Sequence, residues 1–322
     1  MDNKAIYKKT IGFSLWRVLW DFLGFVAFAG FTVAGFVVAD KISDNYALIG
    51  LGIGAVLGGI ASWLILHFVA YVYKAGQIAM MTEGVVKGKL PDDTIAAGKK
   101  VVKERFATVA AYYFVTGAIR GIFRQIGNGI TAIGQAVGGD NGGAIGGTIS
   151  SIINTIVAYL CDCCLGWVFY KKDEKATKAT LEGAAIFFKH GKTFFKNLGR
   201  IFGISLISFI VIGGIFFGIT YLILQAFPGA MNELSQAIVD ITENSSELPN
   251  WIYDVTALTC VCSGVVGVIM WSILHSTFVR PFILIGVLRN FINSGKDEKI
   301  AEKDLEELDG KSKKFAKLHA EA

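Results

Sequence analysis

Charged residues are scarce in this chain. Only 18% of its 322 residues are Asp, Glu, Lys or Arg, whereas an ordinary soluble domain carries about a quarter. Proline is also rare, with 4 residues, while 53% of the residues are hydrophobic and 38 are glycine. This composition argues against a soluble domain of this length. It favours membrane helices, in which glycine lets neighbouring backbones approach closely.

Sequence motifs for catalysis are also missing. The chain has no P-loop, no H-E-x-x-H zinc motif and no G-x-S-x-G nucleophile elbow, each of which carries a recognisable chemistry. The glycines of 50–54 lack the strand–turn–helix context of a nucleotide site. We therefore expect no enzymatic activity and no cofactor.

The cysteines give no clear signal. All five lie within apolar stretches, and three form the run Cys161-Asp-Cys163-Cys164. Residues i and i+2 of a helix point to different faces, so this run favours free, buried thiols over a metal site. Metal binding remains the alternative.

Long apolar runs define the fold class. A helix needs about 20 apolar residues to cross a bilayer, and six such runs occur at 18–39, 47–73, 106–137, 144–170, 201–227 and 251–278. The first is not followed by a small-residue cleavage site, so we expect it to be retained. We predict an all-α integral membrane protein with a transmembrane domain over 1–296 and a charged cytosolic tail over 297–322, either a solvated helix or disordered.

The basic residues predict the orientation. Lys and Arg are concentrated in 1–17, 74–105, 171–200 and 279–322, whereas the loops 40–46, 138–143 and 228–250 contain only Lys41. Under the positive-inside rule this alternation places both termini in the cytosol, with the plasma membrane as the default location. The net charge of +5 is thus topological, and we expect no nucleic-acid partner.

Short sequence matches suggest an internal repeat. Trp63-Leu-Ile-Leu-His67 resembles Trp271-Ser-Ile-Leu-His275, and Thr82-Glu-Gly84 resembles Leu181-Glu-Gly183. We predict three hairpins, at about 1–95, 96–190 and 191–296. Each would end in a cytosolic interfacial segment, and 171–200 has the mixed Lys, Phe and Gly composition of an amphipathic interfacial helix. Within the first of these segments, Pro91-Asp-Asp-Thr94 predicts a helix start.

Polar residues inside the third run are candidates for function. Arg120 and Arg124 share one helix face, which Asn128 extends by a turn. Charged side chains are rare at membrane depth and are functional candidates by default. They could line the outer half of an anion-attracting pathway. Alternatively, they could be packed ion-pair partners, or the third span could end near Gly121.

Three further residues could line an inner cavity. Asp162 is the one acidic residue well inside a span, and His67 and His275 each lie one turn beyond a tryptophan. These could form a titrating cluster for a proton or cation. The alternatives are a packing ion pair for Asp162 and two interfacial Trp/His belts.

One stretch resembles a known family. Cys161–Tyr170, with the Ala-rich sequence that follows it, is similar to choline-transporter-like proteins over less than a fifth of the chain. No functional residue is carried over from that family.

Two functions follow from these observations. The first is a transporter or channel for a small solute or ion. The second is a non-transporting membrane scaffold, assembly factor or lipid-interacting subunit that acts through its cytosolic helices and tail. Under both we expect contact with membrane lipids. The glycine-rich faces of the first two spans favour homo-oligomerisation.

Overall fold

The computed structural model describes residues 1–43, 46–106, 109–138, 142–195, 198–241 and 249–321. Within these ranges the chain is helical and contains no strand, which confirms the all-α prediction. The α-helices, in chain order, are α1 Asn3–Ile42, α2 Ala47–Ile65, α3 Tyr71–Lys87, α4 Thr94–Arg105, α5 Val109–Gly138, α6 Gly142–Tyr170, α7 Ala176–Phe195, α8 Leu198–Ser208, α9 Gly214–Gln225, α10 Pro228–Ile241, α11 Val255–Leu274, α12 Arg280–Gly295, α13 Glu302–Asp309 and α14 Lys313–Ala320.

Local capping sets several helix ends. The Asp2 side chain accepts a hydrogen bond from the Ala5 amide at the start of α1. Asp93 does the same for Ala96 at 2.9 Å, as the Pro91–Thr94 motif predicted, because carboxylates satisfy the free amides of a first turn. Gly88 follows the last residue of α3 with a φ of +67°, a conformation that favours glycine.

Two units divide the chain by their internal packing: Met1–Leu198 with Leu284–Ala322, and Gly199–Ile283. The first unit contains a long hairpin of α1 and α2. Along it Gly54 lies against the Phe31 carbonyl, and Gly35 lies against the Gly50 carbonyl. A side chain at these positions would occupy the space of the neighbouring backbone. These glycines therefore let α2 pack closely on α1, and homo-oligomerisation stays a prediction.

The outside of this hairpin is apolar. Large side chains are exposed along both helices, among them Phe22, Phe25, Val33, Ile53 and Val56. Among the residues that the structure describes, three helical stretches are long and apolar enough to cross a membrane: Asn3–Ile42, Gly199–Gln225 and Val255–Gly295. A fourth arises if Thr94–Arg105 and Ala110–Gln125, bent by 84°, form one broken span. The six predicted spans are thus shown only in part.

The fourth predicted span differs from a lipid-facing helix. From Tyr159 to Phe169, most side chains of α6 are buried within the first unit, including Cys163, Cys164 and Trp167. They pack with α3, α7 and the end of α12. There the Phe291 and Trp167 rings are nearly perpendicular, with their centres 6.1 Å apart. A helix that is buried on all sides belongs to a protein core. We call this assembly the helical core: α3, 159–170 of α6, α7 and 284–295 of α12.

The second unit is a hairpin of its own. Its first arm is formed by α8 and α9 and its second arm by α11, and the Gly267 position lies close to the Gly213 carbonyl. A π-helical turn, Phe209–Gly213, joins α8 to α9. Outward side chains such as Ile207, Ile210 and Leu222 are exposed, as in the α1–α2 hairpin.

Candidate functional site

An ion pair with one buried partner lies in the helical core. Lys74, on α3, places its Nζ 3.0 Å from the Asp162 Oδ1 of α6. The Asp162 side chain is 6% exposed and that of Lys74 is 35% exposed. A buried charge requires such a partner. The structure therefore contains an ion pair between α3 and α6 at Asp162.

A second polar contact ties α3 to α1. The buried Gln77 amide donates to the Thr10 carbonyl at 3.3 Å and to the Ser14 Oγ at 3.0 Å. Its side chain and those of its partners are almost fully buried. Buried polar groups that are hydrogen-bonded fix one helix register against another, so these contacts set how α1 enters the core.

His67 lies in an aromatic stack. Its ring is 4.6 Å from the Trp63 ring and 3.7 Å from the Tyr113 ring, nearly parallel to both. The Tyr113 hydroxyl also donates to the His67 carbonyl. This stack joins the end of α2 to the start of α5. His67 itself lies in the π-helical turn Leu66–Ala70, which leads into α3.

His275 belongs to the second unit. Its Nε2 is 2.9 Å from the Ser205 Oγ, and the neighbouring Trp271 donates through its indole N–H to the Ser208 Oγ at 3.1 Å. A π-helical turn, His275–Val279, begins there and leads into α12. The repeated Trp-x-Ile-Leu-His sequence is therefore matched by a repeated local structure, an α-helix that passes through a π turn into a second helix.

Arg120 and Arg124 lie on the exposed face of α5. The opposite face is a buried stripe at helical spacing, formed by Tyr112, Val115, Ile119, Ile122 and Phe123. Phe123 packs on the Phe187 ring of α7 at 5.5 Å. This part of α5 is thus an amphipathic helix bound to the helical core. The side chain of Asn128 lies outside the described residues.

The charged tail docks beside these arginines. The Gln125 Oε1 accepts hydrogen bonds from the Ser312 Oγ at 2.6 Å and from the Lys314 amide at 3.2 Å. Phe315 and Leu318 of α14 are buried, and the Lys314 side chain lies against Gly121. The tail was expected to be a solvated helix or disordered. The structure has two short helices in it, and α14 buries an apolar face on the first unit.

A charged cluster holds the beginning of the tail. Glu298 lies 3.0 Å from both the Lys189 Nζ and the His190 Nε2, at the point where α7 departs from helical geometry at His190. The hydrogen bond from Lys189 lowers the pKa of Glu298. In α14, hydrogen bonding to Asp309, with a further contribution from Glu302, raises the pKa of His319.

Sequence reasoning missed a second repeat that explains this docking. Lys172-Asp-Glu-Lys175 recurs as Lys296-Asp-Glu-Lys299, and each is followed by a Leu-Glu pair at the same spacing. In the first copy Arg105, the last residue of α4, donates to the carbonyls of residues 172 and 174. In the second copy the side chains of α7 bind Glu298. Each copy therefore binds basic residues of a helix that precedes it in the chain.

The repeated Glu-Gly pair has a packing role. A Cβ at Gly183 would meet the Cys164 Sγ at 2.8 Å, and one at Gly84 would meet Ile6 at 3.0 Å. Both glycines permit close helix contacts. Glu182 accepts from the Trp167 indole at 3.4 Å and lies 3.5 Å from Lys171.

Comparison with known proteins adds no assignment. The chain matches no model of a protein family, no curated protein and no solved structure.

Proposed function

We propose that this chain is a non-enzymatic membrane scaffold or assembly protein, with apolar hairpins in the bilayer and a helical core on one side of it. The main support for this proposal is that the polar residues predicted to line a pathway in the first unit do not share a site. Asp162 is paired with Lys74, His67 is stacked between two aromatic rings, and Arg120 and Arg124 face outward. A transport pathway needs such groups to line one wet cavity.

The docked tail also bears on the topology of the chain in the membrane. A tail rich in Lys and Glu is stable in water, and it docks on α5 at residues 121–125. We therefore infer that α5 up to Gln125 lies on the tail side of the membrane. Both termini would be cytosolic, in a plasma membrane, by the positive-inside rule. This placement leaves only residues 126–158 of α5 and α6 to enter the bilayer, fewer than the about 40 residues that two full spans need.

Transport of a small ion is the second candidate. The Lys74–Asp162 pair favours it, because one partner is buried and the other is 35% exposed. A proton or cation pathway could use a buried carboxylate whose lysine partner is in contact with solvent.

Thiol accessibility separates the two candidates. Cys163 is buried next to Asp162, so a variant that retains only this native cysteine reports on water in the core. We expect Cys163 to resist a small, charged methanethiosulfonate reagent applied from either side of sealed vesicles. Lys178→Cys, at an exposed position of α7, is the matched control and should react fast. Reaction of Cys163 at a comparable rate would establish a wet pathway and favour transport.

A further inference from the structure

Three cations converge on the surface where the tail meets α5. Arg120 and Arg124 are one turn apart on the exposed face of α5, and Lys314 of α14 places its side chain against Gly121 between them. We call these three residues the basic surface. Among the ion pairs of the described residues, none includes any of the three.

The docking geometry brings these charges together. Gln125 holds both the Ser312 hydroxyl and the Lys314 amide, and Phe315 is fully buried one residue later. The main-chain position of Lys314 is therefore fixed beside α5. Like charges placed close together repel each other, so their gathering favours an anion as the missing partner.

The basic surface is connected through α5 to the end of the α1–α2 hairpin. Tyr113, near the start of α5, stacks on His67, which stacks on the exposed Trp63 at the end of the α1–α2 hairpin. Tryptophan and tyrosine are enriched at the headgroup level. Arg120 and Arg124 follow Tyr113 by roughly 10 and 17 Å along the helix at about 1.5 Å per residue.

We propose that the basic surface binds the phosphates of anionic phospholipids on the tail side of the membrane. Arginine forms bidentate hydrogen bonds with phosphate oxygens, and lysine adds a point charge. Phe114, exposed on the same half of α5, supplies an apolar group for the acyl boundary. This inference rests on the proposed function, in that it takes the tail side of α5 to face headgroups.

Lipid retention tests this proposal. The full-length protein, purified in a neutral detergent, would be incubated with equal amounts of phosphatidylglycerol and phosphatidylcholine. The lipid bound per protein would then be measured by mass spectrometry. We expect preferential retention of phosphatidylglycerol. The double variant Arg120→Gln/Arg124→Gln should reduce this retention on the order of 20-fold, because it removes the attraction of two surface cations to anionic headgroups. Lys100→Gln/Lys103→Gln, on an exposed face of α4, should retain it unchanged.

Two further variants test the contribution of the docked tail to lipid binding. Lys314→Gln should lower retention by several-fold, and Gln125→Ala should do so by releasing the tail. Equal retention in wild type and the double arginine variant would overturn the proposal. Complete displacement of the lipid by millimolar inorganic phosphate would overturn it as well, because a soluble anion would then be the partner. Neither outcome alters the Cys163 result, which tests the scaffold proposal separately.

Discussion

Two apolar helical regions of the first unit face opposite environments. The α1–α2 hairpin leaves its large side chains exposed and packs internally through glycine, whereas the helical core buries its large side chains and encloses the Lys74–Asp162 pair. The core helices are also the more polar in sequence. Lys74 and Gln77 of α3 are paired with side chains of other helices, whereas residues 22–39 of α1 and 47–65 of α2 contain no charged residue.

Matched phenylalanine truncations should give the largest contrast between these regions. Phe291 is fully buried in the helical core, and Phe25 is 64% exposed on the hairpin. We expect Phe291→Ala to lower the free energy of unfolding by about 3–5 kcal/mol through the cavity it leaves. Phe25→Ala should change it by less than about 0.5 kcal/mol. Thermal unfolding in detergent would measure both, and equal losses would refute the burial difference.

Breaking the core ion pair should have the next largest effect. Lys74→Met leaves a buried Asp162 without its lysine, so we expect a loss of about 3 kcal/mol, at the low end for buried pairs because Lys74 is partly exposed. The double variant Lys74→Met/Asp162→Leu should recover most of this loss, since apolar replacement of both partners removes the uncompensated charge. Failure of the double variant to recover would mean that the pair has a role beyond packing.

Glycine substitutions sharpen the comparison within the hairpin itself. A Cβ at Gly54 would overlap the Phe31 carbonyl, whereas one at Gly52 meets nothing within 4 Å. We expect Gly54→Leu to destabilise the hairpin by about 1–3 kcal/mol and Gly52→Leu to be tolerated. Disulfide trapping between cysteines placed on α1 and α2 would report the separation. Equal effects at both positions would show that the glycine contact is not formed.

The smallest predicted effect is the pH response of the docked tail. Because the pKa of His319 is raised in the folded state, its contribution is complete below pH 6.5 and is lost as the pH rises through the raised value. The lowered pKa of Glu298 acts in the opposite sense, and its contribution is lost as the pH falls below about 4.5. The His319 contacts within the tail and the Glu298 contacts with α7 should therefore both be present in mildly acidic solution.

Hydrogen exchange of the α14 amides, corrected for intrinsic rates, would measure this response. We expect protection to decline on the order of two- to fivefold between pH 6 and pH 9, since screening weakens these partly exposed contacts. His319→Gln should show no decline over this range. If the exchange protection of the wild type depended on pH as little as that of the variant, His319 would have no role in stabilising the tail.

Part of this architecture was predictable from sequence. Composition indicated helices, and Asp93 marked a helix start. The buried stripe of α5 was also visible as residues spaced by three and four. The length of an apolar run does not by itself distinguish a lipid-facing helix from an amphipathic one.

The remaining features depend on partners far away in the chain. Lys74 and Asp162 come from different predicted hairpins, and Ser312 reaches Gln125 across 187 positions. Spacing rules describe neighbours on one helix, so they could not pair these residues. For the same reason, the depth of Arg120 in the membrane could not be derived from its distance along a single predicted span.

The sidedness of α5 tests the central claim most directly. Arg120→Cys, Arg124→Cys and Lys313→Cys would each be introduced into a cysteine-free chain and labelled in sealed vesicles with a membrane-impermeant thiol reagent. The account predicts that all three positions react from one and the same side, because α14 docks on α5 at residues 121–125. Reaction of positions 120 and 124 only from the side opposite to position 313 would contradict it and would return the arginines to the outer half of a pathway.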